Sequence, residues 1–107
     1  MKIKTWNIEA MTGYKPITTF YEDFSIADRF GAAAIKDTFK RALEGWKHNH
    51  KYLTELAMAM SWKVNEHYCT GNMKYAELYQ DLYEKIDTYC KDNLKDEELR
   101  YYYITTD

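Results

Sequence analysis

A chain of 107 residues has the length of one ordinary domain, which argues against a second domain with its own core. An apolar fraction of 46% excludes global disorder and supports a core that needs neither disulfides nor a metal to fold. A net charge of −2 fits neither a strongly basic nucleic-acid binder nor an acidic DNA mimic, and no apolar run reaches the length of a membrane span or a signal-peptide core.

Residues 1–18 read as an arm, irregular or containing a short strand: Ile3, Trp6 and Ile8 are separated by polar residues, and Gly13 and Pro16 punctuate the rest of the arm. From Thr19 the period becomes helical. Thr19 and Glu22 have the spacing of a capping box, and Phe20, Phe24, Ala27 and Phe30 mark one face of a short first helix that Gly31 stops or kinks. Ser25 and Asp28 offer a competing start signal that would break this helix in two. A second helix is expected from Ala32 to Lys47, with Ile35, Phe39, Ala42 and Trp46 on its apolar face and Gly45 weakening its last turn.

The run His48-Asn49-His50 supplies the next turn. The third helix, Lys51 to Tyr68, carries Leu53, Leu56, Ala57, Met60, Val64 and Tyr68 in steps of three and four. Tyr52, Ala59 and Trp62 widen that stripe, so this helix should be the most buried. Thr70-Gly71-Asn72 ends it, since Gly and Asn tolerate the left-handed backbone. A fourth helix, Met73 to Asp92, has the clearest stripe, Tyr75-Leu78-Tyr79-Leu82-Ile86-Tyr89-Cys90, opposite a face of lysines and carboxylates. A short fifth helix, Asp96 to Tyr103, opens with three acids that suit a helix N-terminus. The expected fold is all-α: one domain, 1–107, in which residues 19–107 form an up-and-down bundle of four to five helices.

Charge and tyrosine are unevenly used. Residues 1–53 hold 9 Lys/Arg and 6 Asp/Glu, a net of +3, and residues 54–107 hold 6 and 11, a net of −5. Opposite signs can attract within one compact fold; the alternative is a polarised surface that steers a charged partner. The 11 tyrosines suit a half-buried rim or a contact surface.

The chemistry-bearing residues give no catalytic constellation. His48 and His50 sit at a turn and cannot share a helical face, and His67 with Cys69 makes two candidate ligands where a zinc site takes about four. Asp87 to Glu98 has the length of a calcium loop, but Tyr89 and Lys91 stand where oxygen ligands belong and Asp92 where glycine is needed. The carboxylates of the fourth helix alternate with lysines, as on a solvated face. Asp28-Arg29 differs, because it lies between Ala27 and Phe30, and a partly buried ion pair or cap, with Gly31 as helix stop, is the expected structural motif. No metal, cofactor or nucleotide motif is expected. Cys69 and Cys90 lack short spacing and fit a reducing cytoplasm; antiparallel packing of the third and fourth helices could bring them near each other, but nothing requires a bridge.

Two surfaces are candidates for partners. Lys36, Lys40, Arg41 and Lys47 concentrate positive charge beside Trp46, and Tyr101-Tyr102-Tyr103 cannot all be buried because a helix turns each ring by about 100°. Lys36, Lys40, Arg41, Trp46, Lys47, Tyr101 and Tyr102 are therefore the candidate contact residues. Specific nucleic-acid readout is disfavoured, since a recognition helix over 51–68 would begin with apolar Tyr52-Leu53.

The stretch Thr18-Thr19-Phe20-Tyr21-Glu22-Asp23-Phe24-Ser25-Ile26-Ala27-Asp28-Arg29-Phe30-Gly31, continued by Ala34-Ile35-Lys36-Asp37-Thr38-Phe39-Lys40-Arg41-Ala42, resembles a group of short uncharacterised helical proteins of gut-bacterial phages and mobile elements. Tyr52-Leu53-Thr54-Glu55-Leu56 and Thr105-Thr106-Asp107 belong to the same resemblance, which spans nearly everything from Tyr14 onward. It brings no activity and no functional residue. What it implies is company: small non-enzymatic proteins of mobile elements often bind and block a host or defence protein, as anti-CRISPR inhibitors do. The expectation is a cytoplasmic, non-enzymatic interaction protein. A homodimer is open, and a nucleic-acid accessory using the basic second helix is the alternative.

Overall fold

In the computed structural model, residues 19–106 are described, and they form five helices: α1 (Phe20–Asp28), α2 (Ala32–Trp46), α3 (His50–Cys69), α4 (Met73–Asn93) and α5 (Asp96–Thr106). The all-α bundle expected from periodicity is what forms, with no strand among the described residues. The arm expected over 1–18 lies outside them.

α1 buries Phe20, Phe24 and Ala27, one position per turn. The capping box does not form. Thr19 has φ −103° and ψ 21°, not the extended backbone that aims an N-cap oxygen at the helix donors, so its hydroxyl turns to the Asp23 carboxylate at 3.3 Å. The competing start signal has no effect either: the Ser25 hydroxyl bonds back to the Tyr21 carbonyl at 2.9 Å, and the helix runs through it. Phe30 leaves the expected apolar face because α1 ends before it, and it is 76% exposed. Gly31 makes the stop. Its N–H reaches the Ala27 carbonyl at 3.2 Å, and its φ of +109° is a conformation that a side chain would strain.

α2 buries Ile35 and Phe39 and half-buries Ala42 and Leu43, while Trp46 at its end lies edge-on to Tyr52, centroids 4.2 Å apart. Asn49 caps α3, its side-chain oxygen accepting the N–H groups of Lys51 and Tyr52 at 3.1 and 3.3 Å. α3 is the axis of the bundle. It packs against each of the other four helices, and every residue from Leu53 to Ser61 is buried. A helix so enclosed has no face to lay in a DNA groove, which removes the recognition-helix geometry.

The α3–α4 turn is set by its sequence. Gly71, at φ +81°, lets its own N–H return to the Tyr68 carbonyl at 3.2 Å and that of Asn72 return to His67 at 2.8 Å, the paired bonds of a Schellman motif. Asn72 then caps α4 by accepting the Tyr75 N–H at 3.2 Å. The tight turn lays α4 antiparallel on α3, with Tyr79, Leu82, Ile86 and Cys90 buried. Antiparallel packing separates the cysteines: Cys69 is at the turn, and Cys90 is 17 residues along α4 from Met73, about 25 Å at 1.5 Å per residue. Both are free, Cys69 exposed and Cys90 buried. α5 runs one turn beyond the expected end, held by the Thr106 hydroxyl on the Tyr102 carbonyl at 2.7 Å.

Candidate functional site

Where α1, α3 and α4 meet, the core contains a cluster of charged and aromatic side chains. Lys63 is only 2% exposed. Its ammonium lies 2.6 Å from Asp28 Oδ2, 2.6 Å from Glu66 Oε2 and 3.3 Å from Ser25 Oγ, one acceptor for each of its three protons. Asp28 is engaged on both oxygens: Oδ2 also meets His67 Nε2 at 2.9 Å, and Oδ1 accepts the Tyr79 hydroxyl. The Tyr21 hydroxyl donates to Glu66 Oε1 at 3.1 Å. Rings close the cluster, with His67 stacked on Tyr79 at 5.5 Å and edge-on to Tyr75 at 5.3 Å. Lys63 also lies 5.2 Å from the Tyr21 ring centre.

The electrostatics follow from this geometry. Burial alone would lower the lysine pKa, but the hydrogen bonds and charges of Asp28 and Glu66 outweigh it and hold Lys63 above its ordinary value. Burial pushes the Tyr79 hydroxyl up, and the Asp28 carboxylate beside it pushes further. Tyr21 rises through burial and then through Glu66. Lys63 is thus held as a cation and Tyr79 as a neutral donor, both engaged with Asp28. A substrate could reach Asp28 only by displacing one of its three internal donors, so the arrangement acts as a pin fastening α1 to the α3–α4 pair.

Asp28 therefore does lie in a partly buried ion pair, but with another residue than expected. Arg29 is exposed, because it is the residue that ends α1, and Lys63 takes its place. Lys63, Glu66, Tyr21 and Tyr79 had no place among the sequence candidates. The signal for Lys63 was its register: it continues the buried series Leu56, Met60 at three- and four-residue steps, and His67 comes one turn after it. Only the fold shows that the carboxylates facing it come from α1 and from its own helix.

The predicted contact residues are scattered over α2 and α5. Lys36, Lys40 and Arg41 are exposed on α2; Arg41 pairs with Asp37, and Lys47 lies 3.4 Å from Glu44. Trp46 and Lys47 lie at the α2–α3 turn, Trp46 against Tyr52 and the Lys47 carbonyl accepting the Tyr89 hydroxyl at 3.2 Å, while Tyr101 is half-buried edge-on to His50 at 5.4 Å. Tyr102 must be withdrawn as a contact residue. It is wholly buried, and its hydroxyl bonds Asp87 at 3.1 Å, because α5 turns that ring inward onto α4.

Between α2 and α4 lies an open groove of about 570 Å³, lined by Lys36, Leu78, Asp81, Leu82, Glu84, Lys85 and Thr88. Comparison with family models, curated proteins and solved structures returned no match. No relative therefore assigns the groove or the cluster a role, and nothing in those comparisons bears on the resemblance to phage and mobile-element proteins. The groove has an apolar floor, Leu78 and Leu82, and a rim of two cations and two anions. Glu84 accepts a hydrogen bond from the Gln80 amide at 3.3 Å, but none of the four rim charges forms an ion pair among the described residues, although Lys63, Arg41, Lys47 and Lys91 all do. Phe30 is exposed, and its neighbour Gly31 faces the Tyr75 hydroxyl, 3.9 Å from where a Cβ would stand. Among the described residues no three His, Cys, Asp or Glu side chains come together as metal ligands, and no helix is long and apolar enough to cross a membrane.

Proposed function

We propose that this protein is a small non-enzymatic interaction module that works by docking its α2–α4 face on another macromolecule. The observation that carries the reading is the groove, whose four rim charges form no ion pair among the described residues and whose floor offers Leu78 and Leu82. Interfaces combine an apolar centre with a polar rim in this way. The saturated cluster around Lys63 supports the same reading, because its polar groups are engaged in holding the fold. The resemblance to small phage and mobile-element proteins makes a host or defence protein in the cytoplasm the first class of partner to try, with inhibition of a CRISPR effector as its sharpest form.

The test is titration of purified CRISPR effectors, and of proteins captured from host lysate, with the wild-type chain and with K36E/K85E. Micromolar or tighter binding that the variant loses is the expected result. Absence of any such partner refutes the proposal. The nucleic-acid alternative has less support, since Asp37 and Glu44 engage two of its four cations. It requires affinity that falls steeply with salt.

A further inference from the structure

The turn after α1 and the turn after α3 stand side by side at one end of the bundle. Asp28 meets His67 at 2.9 Å, and Gly31 faces the Tyr75 hydroxyl. Seven large apolar side chains are exposed among the described residues, and four of them lie within two positions of these contact residues: Ile26, Phe30, Tyr68 and Met73. Apolar exposure is therefore concentrated at this end, and none of the four lines the groove. The charge beside them has one sign. Over 29–35 and 68–76 the only charged residues are Arg29 and Lys74, both exposed, and neither forms an ion pair among the described residues. Each cation adjoins an exposed apolar residue, as Arg29-Phe30 and Met73-Lys74. The carboxylates that precede these stretches, Asp28 and Glu66, are held by Lys63. One turn further in, Glu77 on α4 is offset by Lys36 on α2. Two helices begin at this end and two finish, so their dipoles cancel and the side chains set the sign.

Shape decides what can receive such a patch. Every residue from Tyr68 to Lys74 is exposed, as are Arg29 and Phe30, so the apolar side chains are carried on projecting turns and not in a cleft. A protein partner would need a pocket fitted to each. A nucleic acid could stack bases on Phe30 and Tyr68 but has no apolar receptor for Ile26 and Met73. The boundary of a bilayer accepts projecting apolar and aromatic side chains in any arrangement, and its anionic headgroups meet the cations beside them. We infer that this end of the bundle docks on an anionic membrane surface, with Phe30, Tyr68 and Met73 entering the acyl boundary and Arg29 and Lys74 on the headgroups. Two cations and three side chains make a reversible, peripheral attachment. It is a second surface, independent of the α2–α4 groove.

Co-sedimentation of the full chain with phosphatidylcholine vesicles, with and without about 30% phosphatidylserine, tests this directly. An environment-sensitive fluorophore on Cys69, the exposed thiol of the α3–α4 turn, reports insertion while buried Cys90 stays unlabelled. The wild type should bind the phosphatidylserine vesicles at least about tenfold more tightly than the neutral ones, with affinity falling as salt rises, and the fluorophore should brighten on binding. Removing a cation should weaken binding about fivefold, so R29Q/K74Q should weaken it roughly thirtyfold. F30S should weaken it about tenfold at any salt. K51Q/R100Q removes the same charge at the other end of the bundle and should bind as the wild type does. Each altered side chain is exposed, and circular dichroism should show every variant as helical as the wild type. No binding to phosphatidylserine vesicles, an equal loss in R29Q/K74Q and K51Q/R100Q, or a fluorophore that stays in water with F30S unchanged overturns the inference. Oligonucleotides that bind through Arg29 and Lys74 when vesicles do not would overturn it in favour of a nucleic acid. No groove residue is altered in these variants, so failure here leaves the reading of the α2–α4 face standing.

Discussion

Replacing Lys63 by methionine tests the central physical claim, that a buried ion pair fastens α1 to the rest of the bundle. Methionine keeps the length and most of the volume of the lysine stem and removes only the ammonium. The charge lost is 2% exposed, and the two carboxylates it held differ: Asp28 is 15% exposed and Glu66 43%. Glu66 can turn to water, so its share of the loss is small. Asp28 cannot leave the cluster, because α1 places it there. It keeps His67 and Tyr79 but loses its countercharge. Removing one partner of a buried pair costs about 3–5 kcal/mol, and the two remaining donors place K63M near the lower end, about 3 kcal/mol. For a domain of this size that lowers Tm by about 12–24 °C. Urea denaturation followed by circular dichroism measures the loss, with K91M, on an exposed pair, as the unchanged control. D28N in the K63M background should cost less than D28N in the wild type, since the asparagine no longer strands a buried ammonium. K63M within about 1 kcal/mol of wild type, or strict additivity of the two changes, would refute the pin.

Three further outcomes are expected from the same structure. Stability should fall at alkaline pH: Lys63, Tyr21, Tyr79, Tyr102 and Cys90 all have folded pKa values above their ordinary ones, so their contribution is whole below the unfolded pKa values and is lost as pH rises past about 9–10, by up to about 1.4 kcal/mol per pH unit for each group titrating in the unfolded chain. Y79F removes one of these groups, so its deficit against wild type in urea melts should narrow between pH 9 and 11; a constant gap contradicts the assignment. Thiol labelling should separate the cysteines, exposed Cys69 reacting at once and Cys90, whose thiol burial pushes up to about 12, only on unfolding; equal rates would contradict the burial of α4's inner face. G31A should destabilise by about 1 kcal/mol or more in the same melts, although a Cβ there would meet the Tyr75 hydroxyl only at an ordinary van der Waals distance of 3.9 Å, because φ +109° is the obstacle; a neutral result would mean that the turn can rearrange.

The elements that were legible in the sequence are those whose local chemistry decides them. The turn at His48-Asn49-His50 and the helix end at Thr70-Gly71-Asn72 follow from side-chain and backbone properties that need no tertiary context, and the N-cap roles of Asn49 and Asn72 within them appear only in the structure. Periodicity likewise found the buried faces of α3 and α4, except that Tyr68, at the end of the α3 stripe, is 49% exposed. What failed depended on the fold. Phe30 matched the spacing of α1 but lay beyond its end, and Tyr102 could not be told from Tyr101 until α4 supplied Asp87 for its hydroxyl. Asp28 was recognisable as unusual, yet its partner was sought next door in Arg29 when it lay 35 positions away in Lys63. Of the groove, Lys36 alone was among the candidates: the carboxylates of α4 read as an ordinary solvated face, and only the approach of α2 makes Asp81 and Glu84 half of a rim.

The cluster and the groove are mechanically related, although they share no residue. α2 meets α4 sparsely, so α4 does not itself set where α2 lies. That position is inherited from α3, on which Ile35 and Phe39 pack, and from α1, which delivers the chain to α2 through two residues after Arg29. Asp28, the last residue of α1, is held by Lys63, His67 and Tyr79, so the pin acts three residues before Gly31 begins the turn. A free α1 could swing at that turn and carry Lys36 away from Asp81 and Glu84. The buried charges thus hold the spacing of exposed ones, and K63M should weaken whatever docks on the α2–α4 face even under conditions where the variant remains folded.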